Sequence, residues 1–315
     1  MVDYEAQNWV AILLRVRGSV LPRLVIRVLL AAAFGAAAVA AHVLLEFRID
    51  VTAHALIGVA LGLLLVFRTN ASYDRFWEGR KLVGQLVIAT RDLMRQIVTY
   101  VDDTGDHRIE LRRKLLAFYY LAVQRLREED DLESLRELLT DREREALRGV
   151  THRAPVMLTW VSARLARLAA HADPMVSEIR LSRVDQNIQA MNAALVGCER
   201  IRFTPVPFAY AQHIKVFLTL FCYTAPFAMV NGMSYWTPLA AAMLALALFG
   251  IDEIGVEIED PFGVDPNDLP LEAIGESLER ATAEMLDSDP DAAVADGSTE
   301  PQREPGFSLG ATIPT

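Results

Sequence analysis

Cysteine is nearly absent. Cys198 and Cys222 are the only two in 315 residues, too few for a disulfide framework and too far apart for a CxxC metal knuckle. The six histidines, His42, His54, His107, His152, His171 and His213, include no HxxxH or HExxH spacing, which removes the usual helical zinc site. GxSxG, P-loop and GxGxxG patterns are all missing, so neither a nucleophile elbow nor a phosphate cradle is legible, and no enzyme activity is expected. Positive charge is also scarce, with 31 Lys and Arg against 41 Asp and Glu, a formal charge of −10. A nucleic-acid partner is excluded on that ground, because such a protein needs a basic surface to displace counterions from phosphate. Strand-like alternation of apolar and polar residues is lacking throughout.

What the chain has in abundance is apolar surface in blocks. Hydrophobic residues make up 52% and charged residues 23%, and the mean hydropathy of +0.23 is high for a soluble domain of this size. Val28 to Leu45 runs 18 residues without a charge, Val51 to Phe67 runs 17, and Val216 to Ile251 runs 36. Crossing a bilayer takes about 20 helical residues. The last block is too long for one globular helix and reads as two spans folded at Asn231-Gly232, in the turn-like segment Asn231-Gly232-Met233-Ser234. The first two blocks form a hairpin around Glu46-Phe47-Arg48-Ile49-Asp50. The first is read as a span, since its leader is long and it ends in His42-Val43-Leu44-Leu45, not in a small-residue cleavage site.

Arginines orient the spans. Arg15, Arg17, Arg23 and Arg27 precede the first, Arg68, Arg75, Arg80 and Lys81 follow the second, and Arg200, Arg202 and Lys215 precede the third. The positive-inside rule puts all these flanks, and both termini, in the cytoplasm of a multi-pass protein of the cell's inner (plasma) membrane. The expected organisation is a cytosolic segment (1–23), spans one and two (24–70), a cytosolic helical domain (71–210), spans three and four (211–251), a cytosolic C-terminal segment (252–286) and a disordered tail (287–315). In the cytosolic domain Leu82, Leu86, Leu93 and Ile97 recur at helical spacing, as do Leu115, Tyr119, Ala122 and Leu126, and Ile188, Met191 and Leu195. These helices are expected to continue from the membrane helices, and Pro174 punctuates the region. The runs Arg127 to Asp131 and Asp141 to Glu145 read as solvated helix faces. Pro270 to Met285 reads as a short amphipathic helix, and the tail is too poor in apolar residues to offset its ordering entropy.

On the second span Val59, Leu63 and Phe67 fall at i, i+4, i+8 on one stripe, with Gly58 and Gly62 on the neighbouring stripe as a GxxxG pair that allows close helix approach. Spacing alone favours ordinary helix packing; the sharper reading is a ring of identical helices with the bulky stripe turned to a central pore.

Overlapping the end of that stripe, residues 63–86 read LLLVFRTNASYDRFWEGRKLVGQL, dense in polar, charged and aromatic groups from Phe67 onward. Further on come Gly197-Cys198-Glu199-Arg200-Ile201 leading to Thr204-Pro205-Val206-Pro207-Phe208-Ala209-Tyr210, then Trp236-Thr237-Pro238-Leu239. Last come Glu259-Asp260-Pro261-Phe262-Gly263 and Asp265-Pro266-Asn267-Asp268-Leu269-Pro270-Leu271. In combination and order these stretches closely resemble the bestrophin family, in particular its bacterial members, over about residues 15 to 285.

The resemblance implies an all-α membrane protein, a homopentamer whose four transmembrane helices continue into a cytosolic helical bundle around a central pore. Carried over by position, it implies a hydrophobic neck at Val59, Leu63 and Phe67, with valine leaving the outer ring wider than the branched or aromatic residue usual there. It also implies a cytosolic aperture before the helix that leads into Gly197 to Ile201, where Val176 and Ile179 both fit and simple core packing accounts for either. In calcium-gated animal members an acidic clasp follows the equivalent of Asp260 to Gly263. Asp260, Asp265, Asn267 and Asp268 offer oxygens of the kind hard cations prefer. Pro266 interrupts the acidic run, however, and capping and turn formation explain the same residues, so no cofactor is required and calcium is the less favoured reading. The implied function is an ion channel for small ions, anions such as chloride favoured. A monovalent-cation (sodium) channel of the same family is the first alternative, and a membrane-anchored oligomeric scaffold without conduction is the second.

Overall fold

The computed structural model of the protein describes residues 8–46, 49–101, 106–170 and 174–288. Among these the chain is helical, with no strand. A short α1 (Trp9–Leu14) precedes α2 (Leu21–Leu45) and α3 (Val51–Tyr100), followed by α4 (His107–Arg127), α5 (Asp141–Leu147), α6 (Arg153–Ala169), α7 (Pro174–Phe203), α8 (Phe208–Met233), α9 (Thr237–Glu257) and α10 (Leu271–Asp287). The tail expected to be disordered, apart from its first two residues, and Phe47 and Arg48 of the first hairpin lie outside the described residues.

Local chemistry sets the ends of the apolar helices. Pro22 stands in the first turn of α2, where no backbone donor is lost, and α2 closes on Glu46 in the left-handed region (φ 53°). Asp50 caps α3, its carboxylate accepting from the Thr52 N–H at 2.6 Å. From there α3 runs 50 residues without a break. At about 1.5 Å per residue that is about 75 Å, far more than the about 30 Å of a bilayer core, so one rod carries both apolar and cytosolic sequence.

The reversal expected at Asn231-Gly232 comes slightly later. Both residues stay in α8, and the chain turns at Ser234 (φ 49°, ψ −127°), after which Pro238 opens α9. Pro238 suits that place, since in a first helical turn its missing backbone donor costs nothing. Three apolar helical stretches have the length and hydropathy to cross a membrane, and the third, Phe208 to Glu257, is the one this turn folds into a hairpin.

Four apolar helices thus pack side by side. α2 lies on α9 and α8, α8 lies on α9, and α3 packs on α8 and α9. Leu24, Ala31, Leu61, Leu65, Ile214, Leu218, Ala245 and Phe249 fill the space between them. At Gly35 the α2 and α9 backbones nearly touch, and a Cβ there would sit 2.7 Å from Pro238 Cα. Backbone cannot swing aside as a side chain can, so Gly35→Ala should lower the melting temperature in detergent by several degrees. Gly232→Ala, with nothing within 4 Å, should not. Equal melting of the two variants would mean that this crossing is not tight.

The lower part of α3 joins α4, α6, α7 and α10 around a second core that includes Leu93, Met94, Ile97, Leu115, Phe118, Tyr119, Leu195 and Phe262. The helical periodicities in the sequence locate these faces correctly. The two charged runs are only partly the solvated faces expected. Asp141 and Glu145 are exposed, but the Arg127 side chain is folded down, pairing with Glu272 and donating to the Phe262 carbonyl. Glu143 closes a capping box on Thr140 and pairs with Lys114. Arginine at a helix C-terminus can lay its stem on apolar surface while its head reaches free carbonyls, and a count of charges cannot see this.

Candidate functional site

The outer face of α3 is where the candidate pore residues meet. Leu61 and Leu65 are buried at 1–2% exposure, while Val59, Leu63 and Phe67 stand 74%, 56% and 58% exposed on another side of the same helix. Gly58 packs on Phe221 of α8, where a Cβ would come within 3.0 Å of the ring, whereas nothing lies within 4 Å of Gly62 in the chain itself. Continuing down this side, Asn70, Asp74, Trp77 and Lys81 are exposed. An apolar stripe therefore gives way, one turn below Phe67, to a polar and aromatic one. Ile179 is likewise exposed on α7, and the side chain of Val176 lies outside the described residues.

Behind Phe67 the helices are knitted by charge. Arg68, 4% exposed, holds Asp252 of α9 at 2.8 Å and lies 3.9 Å from Glu259. Lys215 of α8 approaches the other Asp252 oxygen at 3.7 Å. On the far side of α9, Glu253 and Glu257 face Arg27 and Arg23 of α2, at 2.9 Å and 3.2 Å. Because α2 and α9 run antiparallel, arginines four apart on one meet glutamates four apart on the other. Arg75 then ties the exits of two helices, donating to the carbonyls of Ile201 (2.6 Å), Thr204 (2.8 Å) and Glu259 (3.3 Å). These are carbonyls left open where α7 and α9 end.

The acidic segment after α9 is tied down by protein partners. Asp260 accepts from Arg202 at 2.5 Å, and Asp265 lies 3.8 Å from Arg23. Asn267 turns its amide N–H groups to the Gly18 carbonyl (3.0 Å) and to Glu257 (2.5 Å). Asp268 accepts from the Asp265 N–H at 2.7 Å. The segment seats Pro261 and Phe262 against Gly79 of α3, where a Cβ would fall 2.8 Å from the proline ring. Among the described residues no three His, Cys, Asp or Glu side chains are placed to hold a metal ion. Each of the four candidate residues is engaged by a protein partner of its own.

Burial, with the nearby charges of Asp265, Asp260 and Glu257, pushes the Asp268 carboxyl up to about 6, against the N–H bond from Asp265. A folded-state value above the unfolded one contributes stability that is complete below about 4 and is lost as pH rises through about 6. The wild-type protein should therefore lose thermal stability between pH 4 and pH 6.5 by an amount that Asp268→Asn removes. Identical pH profiles for the two proteins would show that Asp268 titrates normally.

Sequence reasoning used Arg23, Arg27, Arg68 and Lys215 only to orient the spans, and missed that they neutralise Asp252, Glu253 and Glu257. A signal was present. Charges of opposite sign end apolar runs that must come together at one level, and an ionisable group at a membrane boundary is retained only with a partner.

A long apolar hairpin layer, a rod-like helix with an exposed stripe and a charge cluster beneath it define a helical integral membrane protein. Residues 1–284 match the family described as Bacterial/Fungal Bestrophin protein, and the chain belongs to the bestrophin family. It is 35% identical to a voltage-dependent anion channel-forming protein of Nostoc over 90% of this chain and 94% of that one. It is 32% identical to one of Escherichia coli strain K12, over 91% and 94%. A solved bacterial bestrophin homologue from Klebsiella pneumoniae superposes with a TM-score of 0.78 at 30% identity, covering 84% of this chain and 98% of the other.

Proposed function

We propose that the protein is an ion channel of the bestrophin type, favouring anions, in which five copies surround one pore. The observation that carries this reading is the exposed stripe Val59, Leu63 and Phe67 on α3, which in a single copy leaves three bulky apolar side chains without an internal partner. Around a fivefold axis the stripe forms stacked apolar rings, the neck, and the Asn70 to Lys81 face lines the widening below it. Ile179, or Val176, forms the cytosolic aperture. α2, α3, α8 and α9 are the four spans, with both termini in the cytoplasm. The names of the anion channel-forming relatives support the choice of ion. Asp74, an exposed carboxylate on the face below the neck, is the feature that favours sodium-like cations instead. No catalytic step and no required cofactor enter this reading.

Purified protein in planar bilayers with asymmetric chloride salts tests it. Unitary currents reversing near the chloride potential are expected. Reversal near the cation potential would replace the ion, and silence at all voltages with intact oligomers would leave the scaffold. Mass measurement in mild detergent should give five copies, and a monomer or dimer would remove the pore.

Topology has its own test. Cys198 and Cys222 are both buried, and burial pushes the Cys198 thiol up to about 12, so the native background is unreactive. Cysteines introduced at Asn231 or Glu46 should react with an impermeant thiol reagent outside intact cells. Labelling at Asp130 positions replaced by cysteine would invert the orientation.

A further inference from the structure

We propose that the crevice between α2, α8 and α9 at the cytosolic end of the apolar helices is a binding site for the headgroup of an anionic phospholipid. The crevice has a volume of about 170 Å³ and is lined by the cations Arg27 and Lys215, the largely apolar Leu218, Tyr223 and Phe249, and the carboxylate of Asp252. Arg27 lies one residue before the charge-free run of α2, and Lys215 one residue before that of α8. The two cations thus stand at the level where apolar sequence begins, which is the level of lipid phosphates. Exposed Ile26, Leu29 and Leu30 on α2 and Val216 and Leu220 on α8 flank the crevice and suit acyl chains.

Pairing leaves two of the cations with donors to spare. Arg23, Arg27, Arg68 and Lys215 share Asp252, Glu253 and Glu257 of α9, and the carboxylates beyond that helix, Asp265 and Glu259, approach Arg23 and Arg68 rather than Arg27 or Lys215. Arg68 engages Asp252 at 2.8 Å, whereas Lys215 stands 3.7 Å from it, beyond hydrogen-bond length. Arg27 spends one nitrogen on Glu253 and lies over the Phe249 ring at 5.7 Å, leaving further N–H donors for a phosphodiester. Both side chains remain between a third and a half exposed. The side of the layer matters as well. α2 packs on α8 and α9, and no α3 residue lines the crevice, so it is separate from the α3 stripe. The occupied headgroup draws Lys215 from Asp252 and leaves that carboxylate wholly to Arg68, the residue following Phe67. Lipid composition thereby reaches the helix that carries the neck. The site itself depends on membrane placement and not on conduction.

Native mass spectrometry of the full-length protein in detergent, titrated with phosphatidylglycerol or phosphatidylcholine of identical acyl chains, is the test. Each cation near a lipid surface is worth about fivefold in affinity for an anionic lipid, so Arg27→Gln with Lys215→Gln should weaken phosphatidylglycerol retention by about 25-fold. Arg27→Lys with Lys215→Arg should keep most of it, and Arg95→Gln, on the cytosolic part of α3, all of it. Equal retention of the two lipids by the wild-type protein, or undiminished phosphatidylglycerol on the double glutamine variant, overturns the proposal. Displacement of the lipid by millimolar inorganic phosphate would also overturn it, by identifying a site for a soluble anion. Should the glutamine variant not assemble, a photoactivatable phosphatidylglycerol on the wild-type protein must label peptides within 24–30 and 215–223. Labelling confined to other helices refutes the site.

Discussion

Asp252→Ala should be the most damaging single substitution outside the two cores, lowering stability by about 3–5 kcal/mol, as breaking one member of a buried ion pair does. Asp252 is 2% exposed and is the near partner of Arg68, itself 4% exposed and otherwise only 3.9 Å from Glu259. Its removal strands a guanidinium that is itself 4% exposed and keeps only the more distant Glu259 as a partner. The double change Arg68→Met with Asp252→Leu should restore most of the loss, because two apolar residues of similar volume carry no desolvation penalty. Thermal unfolding in detergent, read with the fraction of intact oligomer, measures both proteins. A double variant no better than Asp252→Ala would mean that the pair does more than neutralise itself. A mild single variant would mean that the cluster is wetter than its exposure indicates.

The same cluster shows what the amino-acid sequence does and does not disclose. Charge-free runs and three-four periodicities identify the apolar helices and the cytosolic ones, because burial imposes those patterns on every helix whatever its neighbours. The stripe at Val59, Leu63 and Phe67 is equally legible, being local to one helix. Pairing across the layer is not. Arg23 meets Glu257 over 234 positions, and Arg75 reaches Ile201 over 126, so spacing in the chain holds no trace of either contact. Asn267 offers a further case. A ligand-like residue in an acidic run reads as a cation donor until its amide is seen turned to the Gly18 carbonyl and Glu257. The displaced turn at Ser234 has a simpler cause, in that Asn231 and Gly232 permit a reversal without requiring one, and Pro238 favours a helix that starts just before it.

Shortening the neck should have the largest effect on function. In the proposed pore, a permeating ion in a ring of Val59, Leu63 or Phe67 side chains would find neither carbonyl nor charge to replace its hydration, and a narrow apolar constriction gates by shedding water. Alanine at all three positions removes most of the bulk that faces the axis and leaves the best helix-forming residue in place. The three side chains make little contact within their own chain, at 56–74% exposure, whereas Leu61 and Leu65 on the buried side are untouched. Fold and assembly should therefore survive while the constriction widens and wets. The triple variant is expected to show open probability or unitary conductance raised severalfold in planar bilayers, with weaker discrimination among ions of different size, since dehydration no longer selects. Leu63→Ala alone should give an intermediate rise, because the flanking rings still exclude water. Leu61→Ala, on the opposite side, should cost stability without changing the current through intact channels. Unaltered currents from a properly assembled triple-alanine protein would place the stripe against lipid or a neighbouring helix and move the ion path elsewhere.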